Sequence, residues 1–182
     1  MSAQKQPEIV TLVDEAGTAV GSAPRDVVRR DNLLHAATAV LVRNSHGLVY
    51  LHRRAANKDW APSCHDVAAG GVLRAGERPE ESARRELAEE LGIAGARLVP
   101  LGLNLYQDDL TRCVEHCYET HWDGPVVHAD DEVVWGDWIT LRDLDRLLRD
   151  PAFHFVPDTR QLLARLATAG VHDYAALRTL AP

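Results

Sequence analysis

Cysteine is scarce in this 182-residue chain, with Cys64, Cys113 and Cys117 the only three. A small odd number in a chain of ordinary size fits reduced thiols and excludes the disulfide framework that staples small secreted domains. Cys113 and Cys117 flank His116 within a few residues, but no CxxC pair and no second ligand pair accompanies them, so a zinc site is not expected. Long apolar runs are lacking too. None approaches the roughly 18 residues that span a bilayer, and the opening MSAQKQPE has no signal-peptide core behind it, so a cytoplasmic protein without membrane association is expected. Basic blocks are also missing. A formal net charge of -7 and a pI near 5.7 leave no general electrostatic grip on nucleic-acid backbones or anionic lipid.

What is present reads as one globular unit with terminal additions, since the length suits one domain and no repeat, low-complexity tract or linker interrupts it. Ile9, Val10, Leu12 and Val13 lead through a turn at residues 14–17 to Ala19 and Val20, which suggests an N-terminal hairpin. A second hairpin is expected from β-rich runs at 35–42 and 48–53 around the turn Asn44-Ser45-His46-Gly47. A loop carrying Lys58, Trp60 and Pro62 follows, then a short strand at 66–69 that Gly70-Gly71 ends. Pro79 at a first turn and Gly92 at a stop predict a helix over 79–91. Strands are expected at 99–105, 113–121 and 133–139. Thr140 then caps one helix bearing Leu141, Leu144, Leu147 and Leu148, Pro157 opens another bearing Leu162, Leu163 and Leu166, and residues 172–179 add a short turn. This order indicates an α+β fold, a mixed sheet between helices in an α/β/α sandwich.

The chemistry concentrates in residues 71–93, GVLRAGERPEESARRELAEELGI. On the expected helix Glu86, Glu89 and Glu90 share one side, where unneutralised they would repel one another. Ala83, Leu87 and Leu91 form the apolar stripe of that helix, and Glu90 projects close to its edge, so its carboxylate should be partly desolvated. Clustered anions of this kind need a counter-charge. Hard oxygen ligands without thiolate or imidazole partners favour Mg²⁺ or Mn²⁺. An exposed helix whose glutamates pair with Arg84 and Arg85 is the plainer alternative.

The pattern of Gly71, Glu77, Arg85, Glu86, Leu87, Glu89, Glu90, Gly92 and Ile93 fills every specified position of G-x5-E-x7-R-E-U-x-E-E-x-G-U, U being a bulky aliphatic residue. Ordinary residue frequencies would produce such a match by accident with probability on the order of 10⁻⁷. The segment resembles the box of the Nudix hydrolases. That resemblance implies divalent-metal-dependent cleavage of a nucleoside diphosphate linked to another group, by water attack at phosphorus. It implies Glu86, Glu89 and Glu90 as metal carboxylates, with a backbone carbonyl at the Gly70-Gly71 turn as a further ligand. Glu77 and Arg85 would pair to hold the loop to the helix, Gly71 and Gly92 would supply backbone geometry, and Leu87 and Ile93 would be core. Glu89 is the first candidate for the base or water-orienting group and Glu86 the next, with Glu115 and the acidic turn Asp130-Asp131-Glu132 in reserve. Arg53, Arg54 and Lys58 are candidate contacts to substrate phosphates, and Trp60, Tyr106 and Trp122 are candidates to stack on a base.

The strings VDEAGTAVGSAPRDVVRRDNLLHAATAVLV and LHRRAANKDWAP resemble isopentenyl diphosphate isomerase and the hydrolases close to it. The isomerase's reactive cysteine falls on Gly70, its following histidine on Val72 and its upstream histidine on Val28; only His35 survives, while all the hydrolytic carboxylates are kept. The expected protein is thus a hydrolase of a small-molecule phosphoanhydride. The isomerase and a non-catalytic nucleotide-binding module are the alternatives. The resemblance implies an N-terminal hairpin extension at 1–32, which could serve a homodimer, a Nudix domain at 33–168 and a C-terminal tail at 169–182.

Overall fold

β-Branched and aliphatic runs separated by Gly, Asn and Asp turns form strands. In the computed structural model, which describes residues 7–128 and 131–178, they build a mixed nine-stranded sheet. Strands β1 (Ile9–Val13) and β2 (Ala19–Pro24) make the N-terminal hairpin, closed by the Asp14 carboxylate, which accepts the N–H groups of Ala16 and Thr18. A short helix α1 (Arg25–Arg30) follows. The sequence reading missed it, because six residues are too few to display a helical period.

Strand β3 (His35–Arg43) is buried along its whole length. One edge runs parallel to β8 (Arg112–His121), with His35 opposite Cys113 and Ala37 opposite Glu115; β7 (Val99–Gln107) continues antiparallel beyond β8. The second hairpin turns at residues 44–47, but β3 and β4 (Val49–Arg54) pair only at Arg43 and Val49. Past that point β4 pairs instead with β9 (Val133–Ile139) and β5 (His65–Asp66), while β3 pairs with β6 (Ala68–Ala69). The sheet therefore opens between β3 and β4. The single strand expected at 66–69 is two short ones, because the Asp66 carboxylate accepts the N–H groups of Val67 and Ala68 and interrupts the ladder.

Helix α2 (Pro79–Leu91) covers one face, seating Ala83, Leu87 and Leu91 on Val40, Val42 and Ala69. On the other face α3 (Leu141–Leu148), capped by the Thr140 hydroxyl accepting from the Asp143 N–H at 3.0 Å, and α4 (Pro157–Thr168) bury Leu144, Leu162, Leu163 and Leu166 against Leu41 and Leu51. At roughly 1.5–3 kcal/mol per buried aliphatic side chain, these two layers dominate the stabilisation. The expected α/β/α sandwich is the architecture found. Among the described residues no helix is long and apolar enough to cross a membrane.

Candidate active site

The parting of β3 and β4 opens a cavity of about 1200 Å³. Small side chains line its floor, Ala37 and Ala39 from β3 and Ala68 from β6, with Gly70 and Gly71 beside them. Glu86 and Glu89 of α2 reach it from one side, and Glu90 lies fully buried next to them.

Two glycines set this geometry by what they lack. A Cβ at Gly70 would stand 1.9 Å from the Thr38 carbonyl oxygen, and one at Gly71 would stand 2.5 Å from Oε1 of Glu86. The bare backbone at 71 is the space the Glu86 carboxylate fills. Gly70 donates its N–H to Oε2 of Glu90 at 3.1 Å, while the Gly71 carbonyl accepts from Thr38 at 2.9 Å within the sheet. Of the two carbonyls at this turn, that leaves Gly70 as the candidate ligand.

Positive groups hold the acidic helix together. Arg85 grips Glu77 with two hydrogen bonds, 2.8 and 2.9 Å, fixing the loop to the helix. Its remaining reach goes to Glu86 and, at 3.2 Å, to Glu89. Lys58 lies 3.2 Å from Oε1 of Glu90 and also contacts Glu132. Burial pushes the Glu90 carboxyl up to about 7 despite Lys58 and Arg54, and raises Glu86 as well against the pull of Arg85. Glu90 is more deeply buried than its place at the edge of the stripe suggested, with the Gly70 backbone against one carboxylate oxygen and Lys58 against the other. Glu89 stays half in solvent, with 46% of its side chain exposed.

These residues fit a hard divalent cation. Glu86, Glu89 and Glu90 on one side of the helix and a backbone carbonyl at the glycine turn offer oxygen donors only, although among the described residues the ligand atoms that already lie within 4.8 Å of one another are those of Cys113, Glu115 and Asp158. The charge the three glutamates need is here made up by Arg85 and Lys58.

Other candidates are placed differently. Arg54 and Lys58 line the cavity, but Arg53 does not. Strand alternation puts Arg53 on the Leu51 face of β4, at the end of the strand beyond the α3 and α4 core, where it is exposed and its Nε donates to the Ser63 carbonyl at 3.4 Å. Trp60 lines the cavity with Tyr106 behind it at 6.1 Å between ring centres, while Trp122 packs on Gly124 and donates to Pro125, away from the site. Asp130 of the acidic turn lies outside the described residues. The N-terminal hairpin region, thought to stand apart from the catalytic core, instead supplies Glu8, Ile9, Arg25 and Arg29 to the cavity wall.

Sequence reasoning missed the cavity's deep end. Cys113 and Glu115 of β8 meet Asp158 of α4, with one potential ligand atom from each lying within 4.8 Å of the others. Glu115 is buried rather than an exposed strand residue, because the parallel pairing with β3 puts it beneath α4. Burial and the neighbouring Asp158 hold its carboxyl well above the usual range, and Asn104 donates to it at 2.8 Å. Burial likewise lifts Asp66 to about 6. An acidic residue just after Pro157 reads as ordinary first-turn chemistry, so no local signal marked Asp158.

The NUDIX domain family model matches residues 33–163. The chain is 41% identical over 167 residues to the uncharacterized Nudix hydrolase orf19 of Rhodococcus erythropolis, covering 86% of this chain and 90% of that protein. It is 34% identical over 164 residues to the uncharacterized Nudix hydrolase YfcD of Escherichia coli K12, covering 86% and 85%. Among solved structures, DR0079 of Deinococcus radiodurans superposes with a TM-score of 0.73 at 27% identity, covering 87% of this chain and 98% of that one. The NUDIX domain of Shewanella oneidensis NrtR, solved with ADP-ribose, shares the fold at a TM-score of 0.55 and 20% identity, covering 70% and 82%. The chain belongs to the Nudix hydrolase family.

Proposed function

We propose that this protein uses Mg²⁺ or Mn²⁺ to hydrolyse a phosphoanhydride in a small molecule, a nucleoside diphosphate linked to another group, by attack of water at phosphorus. What supports the reading is that Gly70, Glu86 and Glu89 line one cavity of nucleotide size, with the buried Glu90 carboxylate held against the Gly70 N–H beside them. Glu86, Glu89, Glu90 and the Gly70 carbonyl would hold the metal, which when bound would neutralise phosphate oxygens and acidify water. Glu89, in contact with both cavity and solvent, takes the proton from the attacking water; Glu86 is the second candidate for that role. Arg54 and Lys58 face the cavity and attract the phosphates, and Trp60 offers a face to a base. ADP-ribose bound to the NrtR domain of the same fold is an example of such a ligand. The proposal places this activity in the cytoplasm, in a chain that could act as a homodimer.

The isomerase alternative needs a cysteine thiol where Gly70 stands, and a Cβ there would collide with the Thr38 backbone. A non-catalytic binding module would have no use for carboxylates kept beside a cleared carbonyl. A panel of diphosphate compounds assayed with Mg²⁺ or Mn²⁺ tests the reading. Release of phosphate or nucleoside monophosphate should be lost in Glu89→Gln and Glu90→Gln; release that survives both changes places the chemistry elsewhere. Conversion of isopentenyl diphosphate to its dimethylallyl isomer would restore the alternative. Tight nucleotide binding without turnover would favour the module.

A further inference from the structure

Lys58 sits where a metal ion would be expected to neutralise Glu90. Its ammonium is 3.2 Å from Oε1 of Glu90, and Oε2 of the same carboxylate is committed to the Gly70 N–H at 3.1 Å. A cation that coordinates Glu90 through Oε1 therefore competes for the atom Lys58 holds. The Lys58 side chain is only 11% exposed, and its second partner, Glu132, also lines the cavity. One ammonium thus spans from α2 to the segment before β9.

The loop carrying Lys58 does not depend on that contact for its position. Ala55 N–H donates to the Glu132 carbonyl at 2.9 Å, and Ser63 N–H donates to the Ala55 carbonyl at 3.2 Å. Asp59 is gripped by Arg25 at 3.0 and 3.1 Å and by Arg29 at 3.3 Å. With the loop anchored on both flanks, the four-carbon stem of Lys58 can leave Glu90 by side-chain rotation alone, at the timescale of a rotamer change.

We propose that Lys58 is a tethered counter-ion for the metal site: its ammonium holds Glu90 while the site is empty and is displaced into the cavity mouth when a divalent cation binds. This rests on the metal reading above. A divalent ion shared by Glu86, Glu89 and Glu90 outweighs a single charge at one oxygen, while in its absence Lys58 prevents a buried carboxylate from standing uncompensated. Metal binding and the Lys58–Glu90 contact exclude one another, so each weakens the other by the same factor. A contact formed in about nine molecules of ten lowers the apparent metal affinity about tenfold. The displaced ammonium stays among Glu132 and the cavity lining, where phosphates of the substrate enter.

Mn²⁺ binding without substrate, followed by the electron paramagnetic resonance of the free ion, tests this in the full-length chain. Measured at about pH 8.5, so that Glu90 is ionised in every variant, Lys58→Met should bind Mn²⁺ about tenfold more tightly than the parent, and Lys58→Arg should not. Equal or weaker binding by Lys58→Met overturns the proposal. Because Lys58→Met could fail to fold, the parent supplies a second measurement: Mg²⁺ should raise the rate at which Lys58 is acylated by a lysine-reactive ester, read by peptide mass spectrometry. An unchanged or slower rate also overturns it. Glu90→Gln separates the two levels of argument. If it and the parent bind Mn²⁺ alike, the metal reading itself fails; if Glu90→Gln weakens binding while Lys58→Met changes nothing, only the role of Lys58 fails.

Discussion

Replacing Gly70 by alanine should be among the most damaging single-methyl additions to this protein. The new Cβ would meet the Thr38 carbonyl oxygen at 1.9 Å, and that oxygen is backbone, with no rotamer to escape by. Real contacts at Cβ begin near 3.0 Å, so β3 and the Gly70 turn must separate by about 1 Å. That shift strains the Thr38-to-Gly71 hydrogen bond of 2.9 Å and the Gly70-to-Glu90 hydrogen bond of 3.1 Å. Overpacking costs about 1–3 kcal/mol and each of the two weakened hydrogen bonds about 0.5–1.5, which gives a loss of about 2–6 kcal/mol. At about 2–4 °C per kcal/mol in a chain of this length, the melting temperature should fall by about 4–24 °C. Urea unfolding in EDTA measures the loss without any metal contribution. A Gly70→Ala protein within about 0.5 kcal/mol of the parent would refute the reasoning, because the close approach of the two backbones would then not exist.

Three further expectations follow from the same geometry. Glu90, raised by burial to about 7, contributes stability that is present below its ordinary value of 4.5 and lost as pH rises towards 7. Buried His52, held down to about 3, acts in the opposite sense, so the Glu90 effect is read as a difference: in EDTA, Glu90→Gln should gain up to about 3 kcal/mol on the parent between pH 5 and pH 8, and a flat difference contradicts the shift. Arg85→Ala should cost about 2–4 kcal/mol in chemical unfolding, since it strips Glu77 of the two hydrogen bonds from the guanidinium and takes the nearest counter-charge from Glu86; a loss below about 0.5 kcal/mol would mean that solvent replaces the guanidinium freely. Arg53→Ala should leave KM within about twofold of the parent, because its side chain points away from the cavity, and a KM raised about tenfold would show that the strand face was misjudged.

The box and its helix were legible because their signals are local. Pro79 and Gly92 bound α2 as the residue types require, Gly92 taking a left-handed φ of 66°, and the 3.6-residue period put the glutamates on one side. Strand alternation also carried the information that separates Arg53 from Arg54, since Leu51 and Arg53 share one face of β4 and His52 and Arg54 the other. The cavity was not legible. It exists because β3 and β4 bond at one position and then diverge, a choice made by the partners β6 and β9 far along the chain. The cluster of Cys113, Glu115 and Asp158 joins residues up to 45 positions apart on two elements, and no spacing rule connects them. Lys58 was read as a phosphate contact; that its ammonium rests on Glu90 depends on a loop path set by Asp59 pairing with α1, an element too short to leave a periodic trace.

Crystals soaked in Mn²⁺ and measured on both sides of the manganese absorption edge give the most direct test. The account predicts an anomalous peak bounded by Glu86, Glu89, Glu90 and the Gly70 carbonyl, at oxygen distances of about 2.0–2.3 Å. A peak confined to the Cys113, Glu115 and Asp158 end of the cavity, or none near α2 at saturating Mn²⁺, would contradict it.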